Sequence, residues 1–187
     1  VAGYLNDAIP PGGLVGGLPV LGTLEDWARL PGSHRFVAAL HKVAQMEARA
    51  KRIRDLAIPE GRWACVVDAS AQIADDAIIG PGTFVGPNVV IQPGCRVGRH
   101  ASIRAGASLG HDSVVSDFCY VGPNATLCGR AHLDEGAHLG PNACVTDGKT
   151  VGAFAVVAAC SSVTKSVAPR TLVIGVPARR VSVLSER

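Results

Sequence analysis

The chain has 187 residues, 48% of them apolar but only 4% aromatic, and a formal charge of +3. So small a charge excludes a protein that coats nucleic acid, while leaving room for a local basic patch facing a phosphate-bearing ligand. No apolar run reaches the roughly 18 residues that span a membrane, and the first thirty residues lack the basic-then-apolar order of a secretory leader. Gly (22) and Pro (12) are abundant, yet their share stays below the roughly 25–30% that marks disorder. The core must therefore be aliphatic. Six cysteines, at 65, 95, 119, 128, 144 and 160, contain no C-x-x-C pair. That spacing predicts no structural zinc site, and the length of the chain without a secretory leader predicts reduced thiols and a cytoplasmic setting.

Residues 1–60 read as a small α/β (Rossmann-like) domain. Val1–Leu5 predicts a strand ending at Asn6-Asp7, Pro10–Gly17 a Gly/Pro loop, and Leu18–Leu21 a second short strand. Thr23 is the expected N-cap of a short helix that opens Thr23-Leu24-Glu25-Asp26. Arg35–Leu40 predicts a strand, and Lys42–Leu56, rich in Ala, Arg and Glu, a helix. The unit reads as incomplete: its first strand falls where a second is expected, with no Gly-rich phosphate loop before it.

From Val67 the sequence advances in sixes. Val, Ile or Leu occupies every sixth position from Val67 to Val163, seventeen times without a slip. The fifth position of each hexad is small or thin (Ala, Ser, Thr, Cys or Val), with Lys149 the exception. Positions three and four often read Pro-Gly or Pro-Asn, as at Pro81-Gly82, Pro93-Gly94, Pro123-Asn124 and Pro141-Asn142. Pro presets φ for the first central residue of a type II turn, and Gly or Asn tolerates the positive φ of the next. Each hexad is then a short strand plus a corner. A helix is excluded, because a six-residue apolar period with internal Pro fits no 3.6-residue repeat. Burial at roughly 1.5–3 kcal/mol per aliphatic side chain supplies the drive to fold. After Val167 the repeat ends, and Pro169–Val181 predicts an extended closing segment, basic at Arg170, Arg179 and Arg180.

Within this frame His111 is the first candidate for chemistry. It takes corner position three of Leu109-Gly110-His111-Asp112-Ser113-Val114, and no other hexad places His there. An imidazole with an unperturbed pKa near 6.5 suits proton transfer at neutral pH. The hexad pattern resembles the hexapeptide-repeat acyltransferases. The resemblance implies a mainly β chain: a left-handed parallel β-helix over 61–170 with three hexads per coil. A 1–60 domain for a sugar nucleotide precedes it, and a closing segment, 171–187, follows. It also implies a homotrimer with active sites between neighbouring prisms. Three stretches narrow the likeness: Arg104 to Asp112, Val121 to Gly129, and the ending Val173-Ile174-Gly175-Val176-Pro177-Ala178-Arg179-Arg180. They resemble the sugar acetyltransferases of the sialic-acid O-acetyltransferase and bacillosamine-type N-acetyltransferase group.

By that resemblance the co-substrate is acetyl-CoA, with no metal, and the acceptor a nucleotide-linked amino sugar for surface glycan synthesis. N-acetylation of a 4-amino sugar is the first expectation and sugar O-acetylation the alternative. His111 becomes the general base and Asp112 its support. Gly129, one coil later at the same corner, supplies the oxyanion N–H. Tyr120, Pro141, Ala159, Arg179 and Arg180 fall to the coenzyme. Arg104, beside the base, and Asn6 and Asp7, at the nucleotide, fall to the acceptor. The chain departs from the group's usual residues at Arg104, Gly110, Tyr120, Pro141, Ala159 and Leu40-His41-Lys42. Two rival readings use the same scaffold. A γ-class carbonic anhydrase arrangement needs three His on one zinc, and the spacings of His100, His111, His132 and His138 oppose it. A trimeric scaffold with decayed chemistry is the other.

Overall fold

The computed structural model describes residues 1–39, 43 and 45–184. The hexads build a left-handed parallel β-helix of triangular section. Each hexad gives a two-residue strand, and each strand pairs in parallel with the strand eighteen residues on, as in Ser102↔Tyr120, Ser108↔Thr126 and Val114↔His132. Face one stacks Val66–Val67, Phe84–Val85, Ser102–Ile103, Tyr120–Val121, His138–Leu139 and Val156–Val157. Face two runs from Gln72–Ile73 to Ser162–Val163, and face three from Ile78–Ile79 to Thr150–Val151.

The first position of every hexad from Val85 to Val163 is buried, and so is nearly every fifth position between them. Thin fifth positions are what let three faces meet around one axis without voids. Polar ones are satisfied inside: the Thr83 hydroxyl donates to the Gly98 carbonyl at 2.8 Å. Leu127, wholly buried in this column, has no space into which its neighbours can collapse. Leu127→Ala is expected to cost about 2–5 kcal/mol in chemical denaturation.

The predicted corners form. Every fourth position from Gly82 to Cys160 has a positive φ, including the non-glycines His100, Asp112, Phe118, Arg130 and Phe154. The repeat closes earlier than the sequence suggests. Val167, read as a fifth position, forms a bridge with Val151, and Val156↔Leu172 replaces the eighteen-residue step by sixteen. The closing strand Thr171–Ile174 then turns back, and Arg179–Val183 pairs with it antiparallel.

Residues 1–39 hold a small mixed sheet. β1 (Tyr4–Leu5) is parallel to β3 (Leu18–Gly22), and β2 (Leu14–Val15) is antiparallel to it. β2 lies inside the predicted loop because the Gly16-Gly17 turn, at φ 54 and 82, folds Leu14-Val15 back onto Leu18-Pro19. The Thr23 N-cap precedes a 3-10 helix, Leu24–Arg29, where the Asp26 carboxylate accepts the Thr23 N–H and hydroxyl at 2.8 Å each. The strand predicted at Arg35–Leu40 does not form over its described residues, 35–39. Phe36 makes a single bridge to Trp63 and packs edge-on against it, with the Arg62 guanidinium 4.8 Å above the Phe36 ring. Side-chain packing fixes this segment where a ladder was expected. Leu40-His41-Lys42 lies outside the described residues.

α1 (Met46–Asp55) is shorter than the predicted helix, since neither Val43 nor Gln45 is helical. It buries Met46, Arg49, Ala50 and Ile53, one face at i, i+3, i+4, i+7. That face lies along the corner between faces three and one, where the hexads carry His100, Phe118 and Phe154. His100 stacks on Phe118 at 5.1 Å and meets Trp63 edge-on at 4.5 Å. Arg54 lies over Phe118 and pairs with Glu135, and Arg170 pairs with Glu47.

Burial, reinforced by the Arg49 guanidinium, pulls the His100 pKa down to about 4. The unfolded chain therefore binds a proton between pH 6.5 and 4 that the folded chain refuses. Stability should fall by up to about 3 kcal/mol as pH drops through that window. Thermal melts between pH 7 and 4 check this, and His100→Asn, whose side chain tolerates the positive φ, should flatten the curve.

Candidate active site

His111 sits at the corner between faces two and three. Its third-position neighbours up the same corner are Gly129 and Asp147, each one coil higher. The His111 N–H donates to Gln92 Oε1 at 3.0 Å, which fixes the corner from the coil below. The imidazole Nδ1 lies 2.9 Å from Asp112 Oδ2. Asp112 reaches that position because its own backbone takes φ 56, a conformation that Asp tolerates better than most residues. A carboxylate at Nδ1 holds the N–H there and leaves Nε2 as the acceptor.

Nε2 points along the column over Gly129. A Cβ on Gly129 would stand 2.5 Å from Nε2 and 3.1 Å from Asp147 Oδ1. The missing side chain is therefore what lets the imidazole lie against the Gly129 backbone with the carboxylate close by. Among the described residues the Gly129 N–H makes no hydrogen bond. The corner thus brings together a proton acceptor, its carboxylate support and an uncommitted backbone donor. His111 is about half exposed, with 49% of its side chain accessible.

The other residues singled out by sequence fall elsewhere on the chain. Pro141 and Ala159 stack on the corner between faces one and two, at the far edge of face two from His111. Pro141 has no N–H to give, and its carbonyl accepts from Cys160; the Ala159 N–H is uncommitted among the described residues. Tyr120 lies on face one, its ring stacked on His138 at 4.6 Å. Arg104 is not beside the base. It leaves face one at the Pro141 corner, with its guanidinium 5.2 Å over the Phe84 ring, because seven residues carry the chain along one whole edge of the triangle.

Arg179 and Arg180 are exposed on the closing strand. Asn6 and Asp7 do internal work. Asn6 Oδ1 accepts the Ala8 and Ile9 N–H groups, and Asp7 joins the Leu24 N–H to Arg52 across 3.1 Å. An unrecognised neighbour of the site is the pair Cys128–Cys144, with Sγ atoms 3.8 Å apart next to Gly129. Burial and Cys144 push the Cys128 thiol up to about 11, so it is no thiolate nucleophile at neutral pH. No two of the six cysteines are joined by a disulfide.

His100, His132 and His138 occupy the α1 corner, face three and face one respectively. Among the described residues no three His, Cys, Asp or Glu side chains are grouped to hold a metal. No helix among them is long and apolar enough to cross a membrane. Two cavities, about 400 Å³ beside Ser116 and Asp117 and about 300 Å³ beneath α1, contain neither His111 nor Gly129.

The profile of the GMPPB C-terminal domain matches residues 62–172, more than half of the chain. The chain belongs to the GMPPB C-terminal domain family. No curated protein matches it. Among solved structures it is similar to a histidine-to-asparagine variant of perosamine N-acetyltransferase from Caulobacter crescentus, in complex with CoA and GDP-perosamine. The two share 29% identity and a TM-score of 0.80, over 92% of this chain and 81% of that one. The acetyltransferase domain of PglB from Neisseria gonorrhoeae FA1090 is similar in fold, at 24% identity and a TM-score of 0.85, over 96% and 86% of the two chains. So is WeeI from Acinetobacter baumannii AYE, at 22% and 0.72, over 96% and 85%. This member of the family is an acyltransferase.

Proposed function

We propose that the chain transfers the acetyl group of acetyl-CoA to the amine of a nucleotide-linked 4-amino sugar, in the cytoplasm, for a surface glycan. The observation that carries this reading is the His111 Nε2 facing the bare Gly129 position, with Asp112 behind it. Acetyl-CoA supplies the thioester. His111 takes a proton from the acceptor nitrogen as the new N–C bond forms at the thioester carbonyl. The Gly129 N–H donates to the oxyanion that develops there. As the C–S bond breaks, His111 returns the proton to the leaving sulfur, which departs as the free thiol.

A convex corner cannot exclude water by itself, and the charge development just described needs a dry pocket. A second copy of the prism would close it, as a homotrimer allows. The coenzyme groove would then be completed by the partner's surface carrying Tyr120, Pro141 and Ala159, with Arg179 and Arg180 near its phosphates. Arg104, across the edge from its own His111, is free to meet an acceptor at that junction. Residues 1–60 are assigned to the nucleotide. Since Asn6 and Asp7 are engaged within the fold, their part there is to shape the pocket wall. The perosamine enzyme, which binds GDP-perosamine and CoA, supports an amine acceptor.

Thiol release from acetyl-CoA with a panel of amino-sugar nucleotides tests the reading. Release is expected with a 4-amino acceptor, and its absence with every acceptor in the panel would refute the proposal.

A further inference from the structure

Two polar side chains flank the Gly129 backbone, and the mechanism above uses only one. Asp147 stands one coil above Gly129, and its Oδ1 lies 3.1 Å from the point where a Gly129 side chain would begin. His111 Nε2 lies 2.5 Å from the same point, on the opposite side. The two side chains therefore flank the same stretch of backbone, close enough together for one small group set outside it to touch both. Asp147 has no hydrogen-bond or ion-pair partner among the described residues, and it is exposed.

The frame does not consume this carboxylate, although it could. At the corner between faces three and one, Asp117 holds the equivalent third position, and its Oδ1 turns down onto the Arg99 N–H one coil below at 2.7 Å. Asp147 does not make that turn onto the Gly129 N–H. It leaves the backbone donor open, with its own oxygen beside the glycine.

We infer that Asp147 is the specificity-determining residue for the acceptor: its carboxylate binds the sugar ammonium and holds the nitrogen against His111. This rests on the acetyltransferase reading and deepens it. A carboxylate accepts hydrogen bonds only, and a bond in which either partner is ionised is about twice as strong as one between neutral groups. An –NH3+ group offers three N–H donors. One lies toward Asp147 and one toward Nε2. The ammonium first releases one proton to solvent. The resulting amine keeps its hydrogen bond to Asp147 while His111 removes the second proton during attack. A sugar hydroxyl has one hydrogen and cannot serve both side chains together. The column therefore selects amines over hydroxyls at the reacting position.

The test compares GDP-perosamine with its 4-hydroxy counterpart, using Asp147→Asn and Asp147→Glu. Asp147→Asn is expected to raise KM for the amine about tenfold to a hundredfold, the range for one charge-assisted hydrogen bond. The amine-to-hydroxyl selectivity should fall by the same factor, and Asp147→Glu should restore part of it. A purely structural role would not move that ratio. Titration calorimetry on His111→Ala protein, with and without Asp147→Asn, reads the same loss of amine affinity without turnover. An unchanged ratio while His111 remains essential overturns the assignment of Asp147 alone. A faster rate with both acceptors also overturns it, since the carboxylate would then be covering the Gly129 N–H as Asp117 covers that of Arg99. If His111→Ala works like wild type, the acetyltransferase site itself is misplaced and Asp147 falls with it.

Discussion

Replacing His111 by Ala is expected to lower kcat for acetyl transfer by about 10²–10⁴-fold, the contribution of a positioned general base. The fold should not change. The side chain is half exposed, lies outside the aliphatic column, and among the described residues bonds to Asp112 alone. Equal thermal midpoints for variant and wild type would separate lost chemistry from lost structure. Asp112→Asn sharpens the point. Asn accepts the positive φ of that corner, so the backbone survives, but the amide no longer holds the Nδ1 proton as a charged acceptor does. A smaller loss, about tenfold to a hundredfold, is expected there. Thiol release at saturating acetyl-CoA measures both. A His111→Ala enzyme with wild-type kcat would remove the base from this corner.

Gly129→Ala is the second large effect. The position has no positive φ, so Ala adds no backbone strain. Its Cβ would stand 2.5 Å from Nε2 and 2.9 Å from Cε1 of His111. Because His111 is a surface side chain, the ring yields by swinging into solvent. Activity should fall by at least about 100-fold, as when a base is displaced and an oxyanion donor is crowded, while the melting temperature moves little. Gly110→Ala provides the contrast. Its Cβ would meet backbone atoms of the next coil: Gly129 N at 2.7 Å, the Cys128 carbonyl carbon at 2.8 Å and Leu127 O at 2.9 Å. Backbone cannot step aside, so this variant should melt well below wild type. If both variants simply unfold, the bare Gly129 position has no special meaning.

The prism was legible because six-residue periodicity is a local property. Each Val, Ile or Leu and each Pro-Gly or Pro-Asn corner announces itself within a few residues. Even Phe118 and Phe154, which look unsuited to a corner, take positive φ there, since packing against α1 or its flanking ring offsets the strain. The early closure was not legible. Val167 keeps the hexad phase in sequence, and only its bridge to Val151 shows that the last edge is two residues short. Residues 1–39 misled for a related reason. Phe36 carries strand propensity, but Trp63 and Arg62 claim its ring.

At the site, His111, Asp112 and Gly129 follow from one eighteen-residue step. Asp147 lies two steps from His111, and its meaning depends on where its oxygen points, which no spacing encodes. Arg104 was misplaced because nearness in sequence stands for distance along an edge of the triangle, not for contact across a site.

The return of Arg179–Val183 against Thr171–Ile174 has a bearing on solubility. A parallel solenoid presents at its last coil the same row of unpaired amides and carbonyls that each coil offers the next, and thus a template for adding foreign strands. The reversed strand fills that row on face one, and its exposed Arg179 and Arg180 put charge at the edge, which disfavours the pairing of a further strand at that end.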